Sequence, residues 1–301
     1  MSSLDDTRLV RRAKDLVPEP AKAGVAGLVR LAGQATAPLR PGADLLVVGA
    51  KRSGTTFLWS SLLAHPQVLP LVPAAQHIKS PHWFTRYSGR PESWYRGHFP
   101  TQQTRRRHAA RAGAAFTVEA DPLLLHDPRA AGRARAVLPG ARVVVLLRDP
   151  VARAHSHYRE RVKAGVEGLT FAEALAAEPG RTAGELDRLR ERPAYYARAW
   201  DWYAYRARGE YAGPVAAWMA AYGEGRVLVL RSEDLYADPT GTLRRVTDFA
   251  GMDPVAAGPS STRRNRAPGV DLDDAVAEEL RAHYEPHNKD LARLLGTEIW
   301  W

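Results

Sequence analysis

The 301-residue chain has no cysteine. That absence excludes a disulfide framework, a zinc–thiolate centre, an iron–sulfur cluster and a thiol nucleophile. It also fits a reducing compartment, so a cytoplasmic location is the expectation. Long apolar runs are missing too. No stretch approaches the ~20 apolar residues that span a bilayer, so no transmembrane segment is expected. Asp5, Asp6, Arg8, Arg11 and Arg12 interrupt the N-terminus where a secretory leader needs an uncharged core.

What is present is an ordinary globular composition, 45% hydrophobic and 25% charged, on a chain long enough for one substantial core. Forty-three Lys and Arg against 33 Asp and Glu leave a net charge of +10. A basic excess suits an anionic partner: nucleic acid, anionic lipid or a phosphorylated cofactor. The charges are spread along the chain, and the densest cluster, Arg105-Arg106-Arg107, lacks the interleaved aromatics of a nucleic-acid surface. No nucleic-acid partner is expected, and oligomeric state is not legible.

Residues 1–42 read as an N-terminal helical arm preceding a single domain over 43–301. Basic and apolar positions alternate through residues 1–40, split by Pro18 and Pro20. A membrane-surface helix is one reading; an arm packed on the domain suits the weak pattern around Gly24, Gly27 and Gly33 better. Four β-branched runs then read as buried strands: Leu45–Val48, Ala115–Val118, Val143–Leu147 and Val227–Leu230. Helical patterns separate them, which predicts an α/β, three-layer domain with a parallel sheet covered on both faces. The interval 149–224 reads as several helices. Its aromatic set Tyr195, Tyr196, Trp200, Trp202, Tyr203 and Tyr205 suits packing, with an acceptor pocket as the alternative. Residues 258–269 read as a loop, 272–295 as a last helix, and Ile299-Trp300-Trp301 as a buried anchor.

The first strand ends at Gly49 and runs into Lys51-Arg52-Ser53-Gly54-Thr55-Thr56-Phe57. Strand, glycine turn and helix start present free N–H groups and a positive dipole end to a phosphate. Against the Walker pattern G-x-x-x-x-G-K-[ST], Gly49, Gly54 and Thr56 match, but Thr55 occupies the lysine position. The cations have moved upstream to Lys51 and Arg52. The loop therefore suits a phosphate-like anion and lacks the part that handles a triphosphate. A second motif follows the third strand: Arg148-Asp149-Pro150, with Ser156 two turns into the next helix. Asp149 suits an N-cap and Pro150 the first helical position. Arg148 at a strand's C-terminal end and Ser156 in the same crevice make a charged fork and a hydroxyl for a second phosphate.

Together these motifs resemble those of sulfotransferases dependent on 3′-phosphoadenosine-5′-phosphosulfate (PAPS). Lys51–Leu58 resembles the family's 5′-phosphosulfate loop, and Arg148-Asp-Pro-x-x-Arg-x-x-Ser156-x-Tyr158 its 3′-phosphate motif. Arg226–Leu235 with Asp238-Pro239, and His283–Asn288 with the terminal tryptophans, resemble late segments of the glycan-type and bacterial members. The resemblance implies a P-loop-like sheet of about five parallel strands, no metal requirement, and in-line sulfuryl transfer to a hydroxyl or amine. It places Arg52 where many members have a catalytic lysine, with Lys51 as auxiliary. Ser53, Gly54, Thr55 and Thr56 would bind the phosphosulfate, and Phe57 would stack near the adenine or join the core. Thr262–Arg266 resembles a cofactor-covering loop, with Arg263 or Arg264 as its contact.

The transfer needs a base beside the sulfate. Lys79-Ser80-Pro81-His82-Trp83-Phe84 resembles a Lys-Glu-x-His-Phe-Phe stretch in which the glutamate is the proposed base, but this chain has Ser80 there. His82 and Glu119 are the remaining candidates. His82 is preferred because a neutral imidazole is a good base near neutral pH, with Glu119 orienting a cation or the acceptor. His155 and His157 are expected on a helix surface. His283 and His287 have the four-residue spacing of a metal pair, but no third ligand motif accompanies them, so no metal site is expected. The rival readings are a P-loop kinase or phosphotransferase and a non-catalytic PAPS-fold binding protein. The acceptor stays open among glycan, small molecule and natural product. The Ala/Arg-rich composition suggests a bacterial source and secondary metabolism.

Overall fold

In a computed structural model, the residues described are 27, 29–254 and 272–301. Five strands form one parallel sheet: β1 (Leu45–Val47), β2 (Val68–Leu69), β3 (Phe116–Ala120), β4 (Arg142–Leu147) and β5 (Val227–Arg231), in the order β2-β3-β1-β4-β5. β1 is central, with Leu46 level with Glu119 of β3 on one side and Val143 of β4 on the other. Four of these strands carry the β-branched runs of the sequence. β2 is the exception, because its two residues pair at the edge (Val68 with Phe116, Leu69 with Thr117) and are too few to show a period.

The pleat sends alternate residues to opposite faces. Leu46, Val143, Val145 and Leu147 pack beneath the helices α3 (Ala130–Val137) and α7 (Ala212–Tyr222), with Trp218 and Tyr222 buried against them. Leu45, Val47, Val144 and Leu146 face α1 (Thr55–Leu63) and α8 (Pro239–Ala250) through Leu58, Leu62, Leu243 and Val246. The expected three-layer domain is thus the observed one. A third cluster joins α4 (Pro150–Lys163), α5 (Phe171–Thr182) and the last helix, α9 (Asp274–Leu295), through Val151, Tyr158, Leu175, Leu280 and Tyr284. Between α4 and α7 also lies α6 (Arg198–Tyr203). The helix α2 (Gln102–Ala112) is capped by the Thr101 hydroxyl and carries Arg105, whose guanidinium holds Asp44 at 2.7 Å just before β1.

Of the N-terminal arm, residues 29–35 are helical, and Gly33 packs against the backbone of Gly97 so closely that a Cβ would lie 2.6 Å from its carbonyl oxygen. The remainder of the arm, residues 1–26 and 28, and the loop carrying Arg263 and Arg264 lie outside the described residues. At the C-terminus the expected burial is partial: Ile299 is exposed, while Trp300 and Trp301 are half-buried against the core. The aromatic set of 195–205 packs rather than lining the main cleft. Trp200 and Tyr205 are buried, and arginines lie over Tyr196, Trp200, Trp202 and Tyr203.

Candidate active site

The carboxyl ends of β1 and β4 open on a cleft of about 270 Å³. Its lining includes Lys51, Arg52, Gly54, Thr55, Thr56 and Phe57 of the first motif, with Arg148 and Ser156 of the second. α1 begins at Thr55, with Gly54 at its N-cap in the left-handed region (φ 90°), so the free N–H groups of the first turn face the cleft. A Cβ on Gly54 would sit 2.9 Å from the Tyr236 hydroxyl, which also lines the cleft. Ser53 is fully buried, and its Oγ has no hydrogen-bond partner among the described residues. A buried hydroxyl without a partner is costly unless a ligand completes it, and this one sits in the anion loop.

The two motifs are joined. Arg52, itself at φ 75°, donates from Nε to Ser156 Oγ at 3.1 Å, and Arg148 donates to the Arg52 carbonyl at 3.2 Å. Asp149 caps α4 by accepting from Val151 N at 2.9 Å, with Pro150 in the first turn, as the sequence pattern indicates. Lys51 points elsewhere. Its Nζ donates to the Asp201 carboxylate and carbonyl, each at 3.0 Å, and Glu160 lies at 3.8 Å. Burial lowers the Lys51 pKa to about 8 against the opposing pull of Asp201 and Glu160. Phe57 lines the cleft beside Tyr236, ring centroids 6.0 Å apart, and leans on the core.

Sequence reasoning did not single out Lys79, a cation that lines the same cleft. It lies on the segment before the edge of β3, whose Ala120 N–H donates to the Lys79 carbonyl. Its Nζ is 3.1 Å from both Thr55 Oγ1 and Thr56 Oγ1. The cation absent from position 55 is therefore supplied from another segment. Burial pushes its pKa down to about 8, with Asp121 opposing. The one signal was its place in the Lys79–Phe84 stretch.

His82 and Glu119 occupy different environments. His82 Nδ1 lies 3.0 Å from Asp121 Oδ2, on a side chain one-third exposed. Burial lowers the imidazole pKa, but the hydrogen bond and charge of Asp121 outweigh it and leave it raised above the usual histidine value. Asp121 was also missed. It is fully buried and accepts from Thr85 Oγ1 at 2.9 Å and Leu123 N at 3.0 Å. Glu119 lies behind this pair, fully buried, accepting from Ser80 Oγ and Tyr95 Oη, each at 2.8 Å. Burial pushes its carboxyl up to about 7, against those two hydrogen bonds. Neither His82 nor Glu119 is among the residues lining the cleft.

His157 corrects another expectation. It is fully buried rather than on a helix surface, because α4 packs against the 207–209 turn, and its ring meets Tyr205 edge-on at 5.0 Å. His155 is half-buried and stacks on Tyr158.

A sequence profile described as the sulfotransferase family matches residues 44–256 of the chain. The chain belongs to the sulfotransferase family. The matched span holds every strand and both anion motifs. Among similar proteins, the sulfotransferase is 27% identical over 279 residues to mouse (Mus musculus) heparan sulfate glucosamine 3-O-sulfotransferase 6, covering 85% of this chain and 72% of that one. It is 24% identical over 278 residues to the human bifunctional heparan sulfate N-deacetylase/N-sulfotransferase 3, covering 83% of this chain and 29% of that protein. Its fold matches the crystal structure of a sulfotransferase from Alicyclobacillus acidocaldarius with TM-score 0.63 and 26% identity, over 85% of this chain and 96% of that one. The sulfotransferase is therefore an enzyme of the α/β type its strands foretold. Among the described residues, no helix is long and apolar enough to cross a membrane.

Proposed function

We propose that the enzyme takes its sulfuryl group from PAPS and passes it to a glycan hydroxyl or amine. The observation that carries this reading is the joining of two anion cradles in one cleft, through Arg52 Nε to Ser156 Oγ and Arg148 to the Arg52 carbonyl. The residues present fit a ligand with separated 5′ and 3′ anionic groups. The start of α1, Ser53, Thr55, Thr56 and Lys79 suit the 5′-phosphosulfate, and Arg148 with Ser156 suits the 3′-phosphate. When bound, PAPS supplies the sulfuryl group and departs as adenosine 3′,5′-bisphosphate.

Lys79 and Arg52, both lining the cleft, would hold the phosphosulfate and offer positive charge to the oxygen that leaves sulfur. Lys51 lines the cleft with its ammonium held on Asp201, which suits an auxiliary role beside Arg52. His82 takes the acceptor proton, its ring oriented through Nδ1 by Asp121 so that Nε2 is the accepting atom. Glu119 is a positioning residue: it holds Ser80, whose hydroxyl accepts from the His82 backbone N–H at 2.8 Å. The glycan class is favoured over an apolar acceptor by two observations. The 195–205 aromatics are engaged in packing, and the heparan sulfate enzymes are among the similar proteins.

The deciding experiment is a thermal shift with adenosine 3′,5′-bisphosphate against ATP–Mg²⁺, followed by transfer of labelled sulfate to desulfated heparan. Stabilisation by the bisphosphate and label in the glycan support the reading. Stabilisation by ATP–Mg²⁺ alone overturns the donor. Bisphosphate binding without label in any acceptor returns the chain to a binding role.

A further inference from the structure

His283 and His287 lie one turn apart on α9, and the sequence offered them no third ligand. The fold supplies one. Glu210, directly after the Ala207–Gly209 turn and 73 residues away in sequence, brings Oε1 to 3.0 Å from His283 Nε2 and 4.0 Å from His287 Nε2. The three ligand atoms all fall within 4.8 Å of one another, and none of these residues lines the anion cleft. We propose that Glu210, His283 and His287 form a binding site for a borderline divalent transition-metal ion of the Zn²⁺ class, tying the last helix to the 207–210 turn.

Geometry and ligand chemistry both support this. Tetrahedral ligands at roughly 2.0–2.1 Å from zinc stand about 3.4 Å apart. The observed separations of 3.0 and 4.0 Å bracket that value, so small side-chain rotations admit the ion. Glu210 makes a hydrogen bond to His283, and the second imidazole, at 4.0 Å too far for one, converges on the same oxygen. Two imidazoles and one carboxylate select Zn²⁺, Co²⁺ or Ni²⁺ over Mg²⁺ and Ca²⁺, which take oxygen ligands. Each side chain is about one-third exposed, which leaves the fourth position to water.

The backbones behind the ligands are braced. Tyr284 donates to the Arg206 carbonyl at 2.8 Å, and its ring covers Gly209 so closely that a Cβ there would meet it at 2.7 Å. The His283 ring meets Tyr284 edge-on at 5.1 Å. Such a pre-formed pair of elements lowers the ordering cost of binding an ion between them. Next to Glu210, Tyr211 donates to the Arg148 carbonyl at 2.8 Å, so the same turn supports the far side of the anion cleft.

The test uses the full chain without an affinity tag, stripped with EDTA. One equivalent of Zn²⁺ should bind with a Kd near or below ~10⁻⁶ M and raise Tm by a few degrees once free zinc exceeds Kd about a hundredfold. Mg²⁺ should do neither, and Co²⁺ should give the visible d–d absorption of a four- or five-coordinate ion. His287→Gln, which loses no hydrogen bond to Glu210, should weaken zinc binding at least tenfold while melting like the wild type in EDTA. His283→Ala with His287→Ala should abolish it. No saturable one-to-one binding by the wild type, or equal zinc affinity in the His287→Gln protein, would overturn the proposal.

Discussion

Arg52 Nε donates to Ser156 Oγ at 3.1 Å, so the cation of the first anion loop is held by the hydroxyl of the second. Two motifs a hundred residues apart therefore form one site rather than two neighbours. Ser156→Ala should loosen both. Adenosine 3′,5′-bisphosphate affinity is expected to fall by roughly tenfold, from one lost hydrogen bond to a charged group and the release of Arg52. Arg148→Ala should cost more than tenfold, since it removes the fork and the tie to the Arg52 carbonyl. Isothermal titration checks both, and unchanged affinity in the Arg148 variant would remove the 3′-phosphate assignment.

Lys79 stands in space where its loop lacks a lysine in sequence, between the Thr55 and Thr56 hydroxyls. Lys79→Met is expected to lower kcat by about 10²–10³-fold, the usual loss for one charge-stabilising donor. Lys79→Arg should recover part of it. Single-turnover kinetics separate this from binding; a change in KM alone would show that Lys79 serves only to hold the donor.

His82 must be neutral to accept a proton, and Asp121 raises its pKa above the usual 6.5. The acidic limb of kcat/KM should therefore lie above pH 6.5, with activity rising as pH passes through it. Asp121→Asn removes the raising contact and should move the limb to lower pH, while His82→Gln should remove it and cost about 10²-fold in turnover. A limb that does not move in the Asp121 variant points to another base.

Glu119 carries a prediction on stability. Its folded pKa of about 7 exceeds the ordinary 4.5. Between those values the folded protein holds a proton that the unfolded chain releases, so stability falls as pH rises from 4.5 to 7 and stays lowered above it. The cost at pH 8 is on the order of 3 kcal/mol. Glu119→Gln should raise Tm by several degrees at pH 8 and leave it unchanged near pH 4. Thermal unfolding across that range measures it, and a variant less stable at both pH values would show that ionised Glu119 is well accommodated by Ser80 and Tyr95.

The sheet was legible wherever a strand is long enough to carry a period, from Leu45 to Leu230; the edge pair Val68 and Leu69 was not. The N-cap at Asp149 and the helix start at Thr55 were legible because capping and glycine turns are local chemistry. The sequence alone determined the glycine-threonine loop at 49–56, the Arg148–Ser156 motif and, through their resemblance, the family. Only the tertiary structure decided who stands beside whom. It turned Lys51 to Asp201, brought Lys79 to the threonines and Asp121 to His82, buried His157, and set Glu210 against a histidine pair 73 residues on. The reason is physical: loops and caps are written in bonds between near neighbours, whereas these pairings depend on which strands lie side by side and which helices cover them.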